Sequence, residues 1–181
     1  MFIVVELGDH SASLLDGDKL EVIHRFKTRP ALHGGPKFSS DGRFVYFASR
    51  DGWVSKFDIY NLKMLYEIRA GINTRNIAIS TDGETVLVGN YLPHNLVVLD
   101  ADDLSYKTEL KVSSDKQSSR VSAVYTAPPR NSYIVALKDI AEIWEIPYES
   151  ANSAKPVPIR IKADKIIDDF FFSQDYKHLI G

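Results

Sequence analysis

Short apolar runs alternate along this chain with polar breaks that carry Asp, Gly and Asn. Phe44-Val45-Tyr46-Phe47-Ala48, Val86-Leu87-Val88, Leu96-Val97-Val98-Leu99 and Ile134-Val135-Ala136-Leu137 are such runs. Their β-branched and aromatic content and their Asp-Gly punctuation predict strands joined by tight turns. The pattern also repeats. Phe38-Ser39-Ser40-Asp41-Gly42-Arg43-Phe44-Val45-Tyr46 is echoed by Ile79-Ser80-Thr81-Asp82-Gly83-Glu84-Thr85-Val86-Leu87, each residue 41 positions on. A fixed period in this range, built of short strands and Asp-Gly turns, predicts an all-β β-propeller of four-stranded antiparallel blades.

The first blade is expected over 33–69, with Phe38 in its inner strand and turns at Asp41-Gly42, Asp51-Gly52 and Tyr60-Asn61-Leu62. The second, 75–112, follows the same order with one extra residue in the Asn90–Asn95 loop. The third, 120–162, has strands over 121–125, 132–137 and 140–146, then an irregular outer part bearing prolines. Residues 171–180 match 37–46, and residues 3–26 match 45–68. Segments 168–181 and 1–27 are therefore expected to share one split blade, giving about four blades in a single domain spanning 1–181. Such an arc has three ways to hide its edges: closing on itself, pairing with a second copy, or forming part of a longer ring.

Composition narrows the field. The chain has 181 residues, 44% of them apolar and 25% charged, as in ordinary globular domains. A formal net charge of −2 gives no reason to expect nucleic acid or an anionic membrane as partner. The apolar stretches are too short for a transmembrane segment. The absence of cysteine removes disulfides, zinc–thiolate sites, iron–sulfur ligation and covalent haem attachment. The opening Met1-Phe2-Ile3-Val4-Val5-Glu6 lacks the basic region and apolar length of a signal peptide.

In a propeller, equivalent loops of successive blades gather at one mouth of the central channel. The loop entering each inner strand places His33 in the first repeat, Arg75 in the second, Arg120 near the same point in the third and Asp168 in the fourth. Tyr91 and His94, on the enlarged loop of the second repeat, could reach the same mouth. A neutral imidazole is a common ligand of haem iron, and guanidinium forks match carboxylates. Gly34-Gly35 removes side chains where a large flat ligand could approach the backbone. Plain structural roles stand beside these. His33 could donate a hydrogen bond to a neighbouring loop, the arginines could pair with carboxylates between blades, and His94 could be an exposed turn residue. No Rossmann, P-loop, zincin or nucleophile-elbow spacing occurs.

Leu32-His33-Gly34-Gly35-Pro36-Lys37-Phe38-Ser39, Ser49-Arg50-Asp51-Gly52-Trp53, Ala70-Gly71-Ile72-Asn73-Thr74-Arg75-Asn76 and Gly89-Asn90-Tyr91-Leu92-Pro93-His94-Asn95 carry a further signal. Through them the chain resembles the cytochrome d1-haem region family, most sharply over 31–100. That family includes the haem-binding half of cd-type nitrite reductase and proteins of haem d1 maturation, and the 50–95 stretch resembles its dihydro-haem d1 dehydrogenase branch. The resemblance implies half of an eight-bladed ring, a tetrapyrrole cofactor (haem d1 or dihydro-haem d1) and an oxidoreductase role in denitrification or cofactor maturation. It implies His33 as the iron ligand and Arg75 as a contact to the tetrapyrrole's acidic groups. A second half-ring, a c-type cytochrome as electron carrier and a periplasmic location are likewise implied. Two other readings remain at this point. One is a non-catalytic propeller of the surface-repeat kind that binds a protein. The other is a metal-dependent hydrolase using Asn73, Asn76, Asn90 and Asp168.

Overall fold

The structure, a computed structural model, describes all residues 1–181. Five antiparallel sheets follow one another along the chain. The first contains β1 (Phe2–Glu6), β2 (Ser11–Leu15) and β3 (Val22–Lys27). Three complete four-stranded sheets come next. They are β4 (Leu32–Phe38), β5 (Phe44–Ser49), β6 (Trp53–Asp58) and β7 (Lys63–Arg69); then β8 (Asn73–Ile79), β9 (Thr85–Leu92), β10 (Asn95–Asp100) and β11 (Tyr106–Lys111); then β12 (Val121–Ala127), β13 (Ser132–Leu137), β14 (Glu142–Pro147) and β15 (Ile159–Lys162). In the third, a single helical turn, α1 (Tyr148–Ala151), precedes β15, so the proline-bearing outer part regains a strand. The last sheet pairs β16 (Phe171–Phe172) with β17 (Leu179–Ile180). Strand order within each complete sheet follows the sequence, as it does in a propeller blade.

The repeated Ser-x-Asp-Gly segment is a hydrogen-bond circuit that locks the turn from first to second strand. In the first complete sheet Ser39 Oγ donates to Asp41 Oδ1 and accepts from the Phe44 amide at 2.9 Å, while Asp41 Oδ1 accepts from the Arg43 amide at 3.0 Å. Ser80, Asp82, Glu84 and Thr85 repeat it. So do Ser173, Asp175, Lys177 and His178, with amide distances of 3.1 and 3.0 Å. The sequence repeat exists because one turn geometry needs a hydroxyl and a carboxylate two residues apart. Where the segment is replaced by Pro128-Pro129-Arg130, a 3₁₀ turn ending on left-handed Asn131 serves instead.

The apolar residues form four cores, each lying between successive sheets. Ala12 and Leu14 meet Val45, Phe47 and Phe57 between the first two sheets. Tyr46, Ala48 and Val54 meet Ile77, Val86, Val88 and Leu99 between the next two. The largest cluster joins Leu87, Leu96 and Val98 to Tyr133, Val135, Leu137 and Trp144. The last sets Ala123, Ile134 and Ala136 against Phe170. Buried Lys56 adds a polar clip across the second of these seams, donating to the carbonyls of Ala101 at 2.9 Å and Asp102 at 2.7 Å.

The two end sheets share no strand pairing, so segments 168–181 and 1–27 do not join into one blade within this chain. The repeat explains why: β1 and β17 both occupy the second-strand position, the place held by β5, and one blade has room for a single such strand. Both ends leave apolar side chains exposed, with Phe2 and Val22 on one and Phe171 and Ile180 on the other.

Gly52 and Gly42 separate backbone strain from collision. A Cβ on Gly52, at φ +93°, would lie 1.9 Å from the Gly71 carbonyl oxygen, whereas a Cβ on Gly42, at φ +70°, would meet nothing within 4 Å. Gly42→Ala should therefore cost about 1 kcal/mol from backbone strain alone. Gly52→Ala should cost roughly 3 kcal/mol or more, because the β5–β6 turn must also move off the chain at Gly71. Urea unfolding midpoints of the two variants measure the gap, and equal losses would refute this account of the turn.

Candidate functional site

Inner strands β4, β8 and β12 lie side by side, and a chain of polar contacts links their beginnings. His33 Nδ1–H in β4 donates to the Arg75 carbonyl in β8 at 2.9 Å. Arg75 Nε donates to the Ser122 carbonyl in β12 at 3.3 Å. Ser122 Oγ donates to the Ile167 carbonyl, ahead of the last sheet, at 3.0 Å. The series ties four successive repeats together at one mouth of the arc.

The β4 strand is shaped to hold His33 there. Its pairing with β5 breaks between His33 and Lys37, so Gly34-Gly35-Pro36 bulges out of the ladder. Gly34 has φ +79°, and a Cβ there would come within 2.6 Å of Asn76 Oδ1. Glycine thus permits both the turn and the close approach of β4 to β8. Lys37 Nζ closes the bulge by donating to the Gly34 carbonyl at 2.8 Å.

His33 is a neutral, oriented imidazole. Arg75 Nη1 donates to its Nε2 at 2.7 Å, and since a guanidinium only donates, the ring proton must sit on Nδ1. Burial pushes the His33 pKa below the ordinary imidazole value. The hydrogen bond to the Arg75 carbonyl opposes that shift, and the Arg75 and Arg50 charges reinforce it. A cavity of about 340 Å³ adjoins the ring, walled by Val5, Leu7, Leu32, Phe47 and the Gly-Gly-Pro bulge. A backbone-anchored Nδ1–H places the lone pair on Nε2, the tautomer in which histidine serves as a metal ligand, and here that lone pair accepts from Arg75 Nη1.

The other predicted residues fall around this centre in different ways. Tyr91 is flanked by two guanidinium carbons, Arg75 Cζ at 5.8 Å and Arg120 Cζ at 5.3 Å from its ring centroid. Arg120 is held by Asp139, with Nε and the backbone amide each donating at 3.0 Å and Nη2 at 2.6 Å. Asp168 pairs with Lys138 at 2.5 Å, a hydrogen bond that lowers its pKa, and the charges of Lys138, Arg75 and Arg120 act in the same direction. His94 does not join His33. It sits on the β9–β10 loop, after a cis Leu92–Pro93 bond, with Nδ1 2.7 Å from Ser118 Oγ. There it lines a separate cavity of about 280 Å³ with Glu109 and Lys111. Asn90 is spent on structure: it is fully buried and bound to Thr74, Ala70 and Asn95. Asn76 packs on Gly34 and accepts from the Ile77 amide, so neither asparagine presents free oxygen ligands for a hydrolytic metal.

Ser122, Asp139 and Lys37 were not predicted. Asp139 occupies the hairpin position that Asp51 holds in the first complete sheet, so the repeat carried a signal for it. Ser122 and Lys37 sit in runs whose pattern says only strand.

The Arg120 hydrogen bonds hold the Asp139 carboxyl at about 2, below its ordinary 3.8, against a smaller opposing effect of burial. Its folded value is depressed, so the pair's stabilisation is present above the ordinary value and lost as pH falls from about 4 through about 2. Arg120→Met should therefore lower the urea midpoint at pH 7, and the difference from wild type should shrink as the pH drops below about 4. A difference that is constant with pH would rule out the ion pair as its source.

Comparison with known proteins identifies the family and the fold. The family model described as cytochrome D1 heme domain matches residues 1–181. Dihydro-heme d1 dehydrogenase of Pseudomonas aeruginosa is 60% identical over 182 residues, covering 100% of this chain and 36% of the relative. Protein NirF of the same organism is 31% identical over 78% of the chain and 37% of its own length. The chain thus spans little more than a third of the curated relatives it matches. Among solved structures, dihydro-heme d1 dehydrogenase NirN in complex with DHE superposes with a TM-score of 0.91 at 59% identity, over 98% of this chain and 38% of that one. The Kuenenia stuttgartiensis hydrazine synthase, at 19% identity and TM-score 0.76 over 98% of this chain and 50% of its own, shares the fold. So does the Myceliophthora thermophila Cps50 (Swd1) β-propeller domain, at 12% and 0.72 over 94% and 57%. An arc of antiparallel blades with an oriented imidazole among guanidinium groups, matched along its whole length by one family model, makes this chain a member of the cytochrome d1 haem domain family.

Proposed function

We propose that this chain is the His33-bearing part of a haem d1-binding propeller, in an oxidoreductase of the dihydro-haem d1 dehydrogenase kind acting in haem d1 maturation. The observation that carries the reading is the geometry of His33: a neutral imidazole, fixed through Nδ1 to the Arg75 carbonyl, beside an apolar cavity and a glycine bulge. The 60% identity to a dihydro-heme d1 dehydrogenase along the whole chain favours it over a propeller that serves only as a protein-interaction module.

The donor set fits an iron tetrapyrrole that carries carboxylates. His33 Nε2 is the nitrogen that would meet the metal, and the lowered pKa keeps it unprotonated at neutral pH. Arg75 offers a guanidinium to a carboxylate at the same mouth, and Tyr91 gives an aromatic face between Arg75 and Arg120. Leu7, Leu32 and Phe47 give the cavity beside His33 an apolar lining. When bound, the tetrapyrrole supplies the redox chemistry, and this chain supplies position and charge. Arg120 stays with Asp139 and acts on the site through the field of that pair and its contact with Tyr91. Further blades cover the exposed apolar ends of the arc, completing the ring in a longer chain. A c-type cytochrome accepts the electrons, in the periplasm.

The test is an absorption titration of the protein with dihydro-haem d1 beside its His33→Ala variant. Wild type should give a saturable one-site shift, and the variant should lose the imidazole-ligated spectrum while circular dichroism shows it folded. An unchanged spectrum in the variant would take the iron away from His33.

A further inference from the structure

Arg75 touches His33 twice, and the two contacts pull in different directions. Its carbonyl accepts from Nδ1 and points the ring; its own Nη1 then occupies Nε2 at 2.7 Å. The nitrogen left with the lone pair is therefore capped by the side chain of the residue that orients the ring. The cap is built to move. Arg75 keeps its backbone bond to His33 and a long 3.3 Å contact from Nε to the Ser122 carbonyl, neither of which fixes Nη1. No carboxylate pairs with Arg75 in an ion pair, unlike Arg120, whose fork is taken by Asp139. The Tyr91 ring stands 5.8 Å from Arg75 Cζ, a neighbouring face on which a swung guanidinium can rest.

We propose that Arg75 is a carboxylate-operated latch on His33, so that the site admits iron to the imidazole only when the incoming tetrapyrrole carries a carboxylate at that edge. This rests on the reading of His33 as the iron ligand. The exchange is balanced: the Arg75 N–H···Nε2 hydrogen bond breaks, an Arg75 N–H···carboxylate bond forms, and no proton leaves either group. A guanidinium–carboxylate bond joins two opposite charges whereas the one to a neutral imidazole nitrogen has only one charged partner, so a carboxylate can win the exchange and an uncharged edge cannot. Recognition and ligation are thereby coupled through one side chain, which makes Arg75 a specificity-determining residue as well as an anion contact.

The experiment compares ferric protoporphyrin IX with its dimethyl ester, which differ only in their free carboxylates, each delivered in the same non-ionic detergent. Wild type should bind the free acid roughly fivefold or more tightly than the ester. In Arg75→Gln the acid should bind more weakly, and the ester should bind more tightly than it does to wild type because the cap is gone. Arg75→Lys, which keeps the charge, guards against a folding defect in the glutamine variant. Ester affinity that stays the same or falls in both variants overturns the latch and leaves Arg75 a simple anion contact or structural tie. Failure of the underlying reading looks different: wild type binds neither probe, or His33→Ala retains the imidazole-ligated spectrum with the acid.

Discussion

A four-stranded sheet has two faces, and in this chain both must be buried against other sheets. Everything else follows from that constraint. No single core exists to which the elements are attached; four cores lie in the seams between five sheets, each made by the outward face of one blade and the inward face of the next. Stability is therefore passed along the arc from neighbour to neighbour, as in other repeat architectures. The polar ties follow the same seams. Lys56 reaches across to the Ala101 and Asp102 carbonyls, Tyr133 reaches back to Thr85, and Thr126 donates to the Ile79 carbonyl.

The site is a product of the same seam logic. Because blades meet at their inner strands, residues at the start of each inner strand are brought within hydrogen-bonding reach. His33, Arg75 and Ser122 belong to three different blades and form one connected series. The tie that fixes the imidazole is thus also a tie between blades. A structural role for His33 does not compete with a chemical one: the Nδ1 bond to the Arg75 carbonyl is a seam contact, and by occupying Nδ1 it leaves the ring's lone pair on Nε2. The glycine bulge that permits the seam to close at Asn76 also opens the space beside the ring.

Charge around the mouth is sorted rather than merely accumulated. Arg120 is committed to Asp139, Lys138 to Asp168, and Lys37 to a backbone carbonyl, while the Arg75 fork is held by the imidazole. Of the two arginines at the starts of inner strands, Arg75 is the one whose partner is neutral. Local pairing, more than the net charge of −2, decides what this mouth can bind.

The sequence by itself determined the strands, the repeat and the blade order, because turn chemistry and strand patterning are local. Ser39, Asp41 and their copies fix the same turn wherever they occur, and a 41-residue echo in the chain is an echo in space. It also named His33 and Arg75, since equivalent positions of a ring meet. Tertiary structure decided the rest. Whether Arg120 was free depended on Asp139, which comes from the far end of a hairpin. His94 turned to Ser118 because its loop faces the neighbouring 112–118 segment, a placement no period predicts. The end segments, which overlap at the second-strand position, form separate sheets rather than one blade. Nor could spacing reveal that Arg75 both aims and caps the imidazole, because that contact is set by side-chain packing across the seam between two blades.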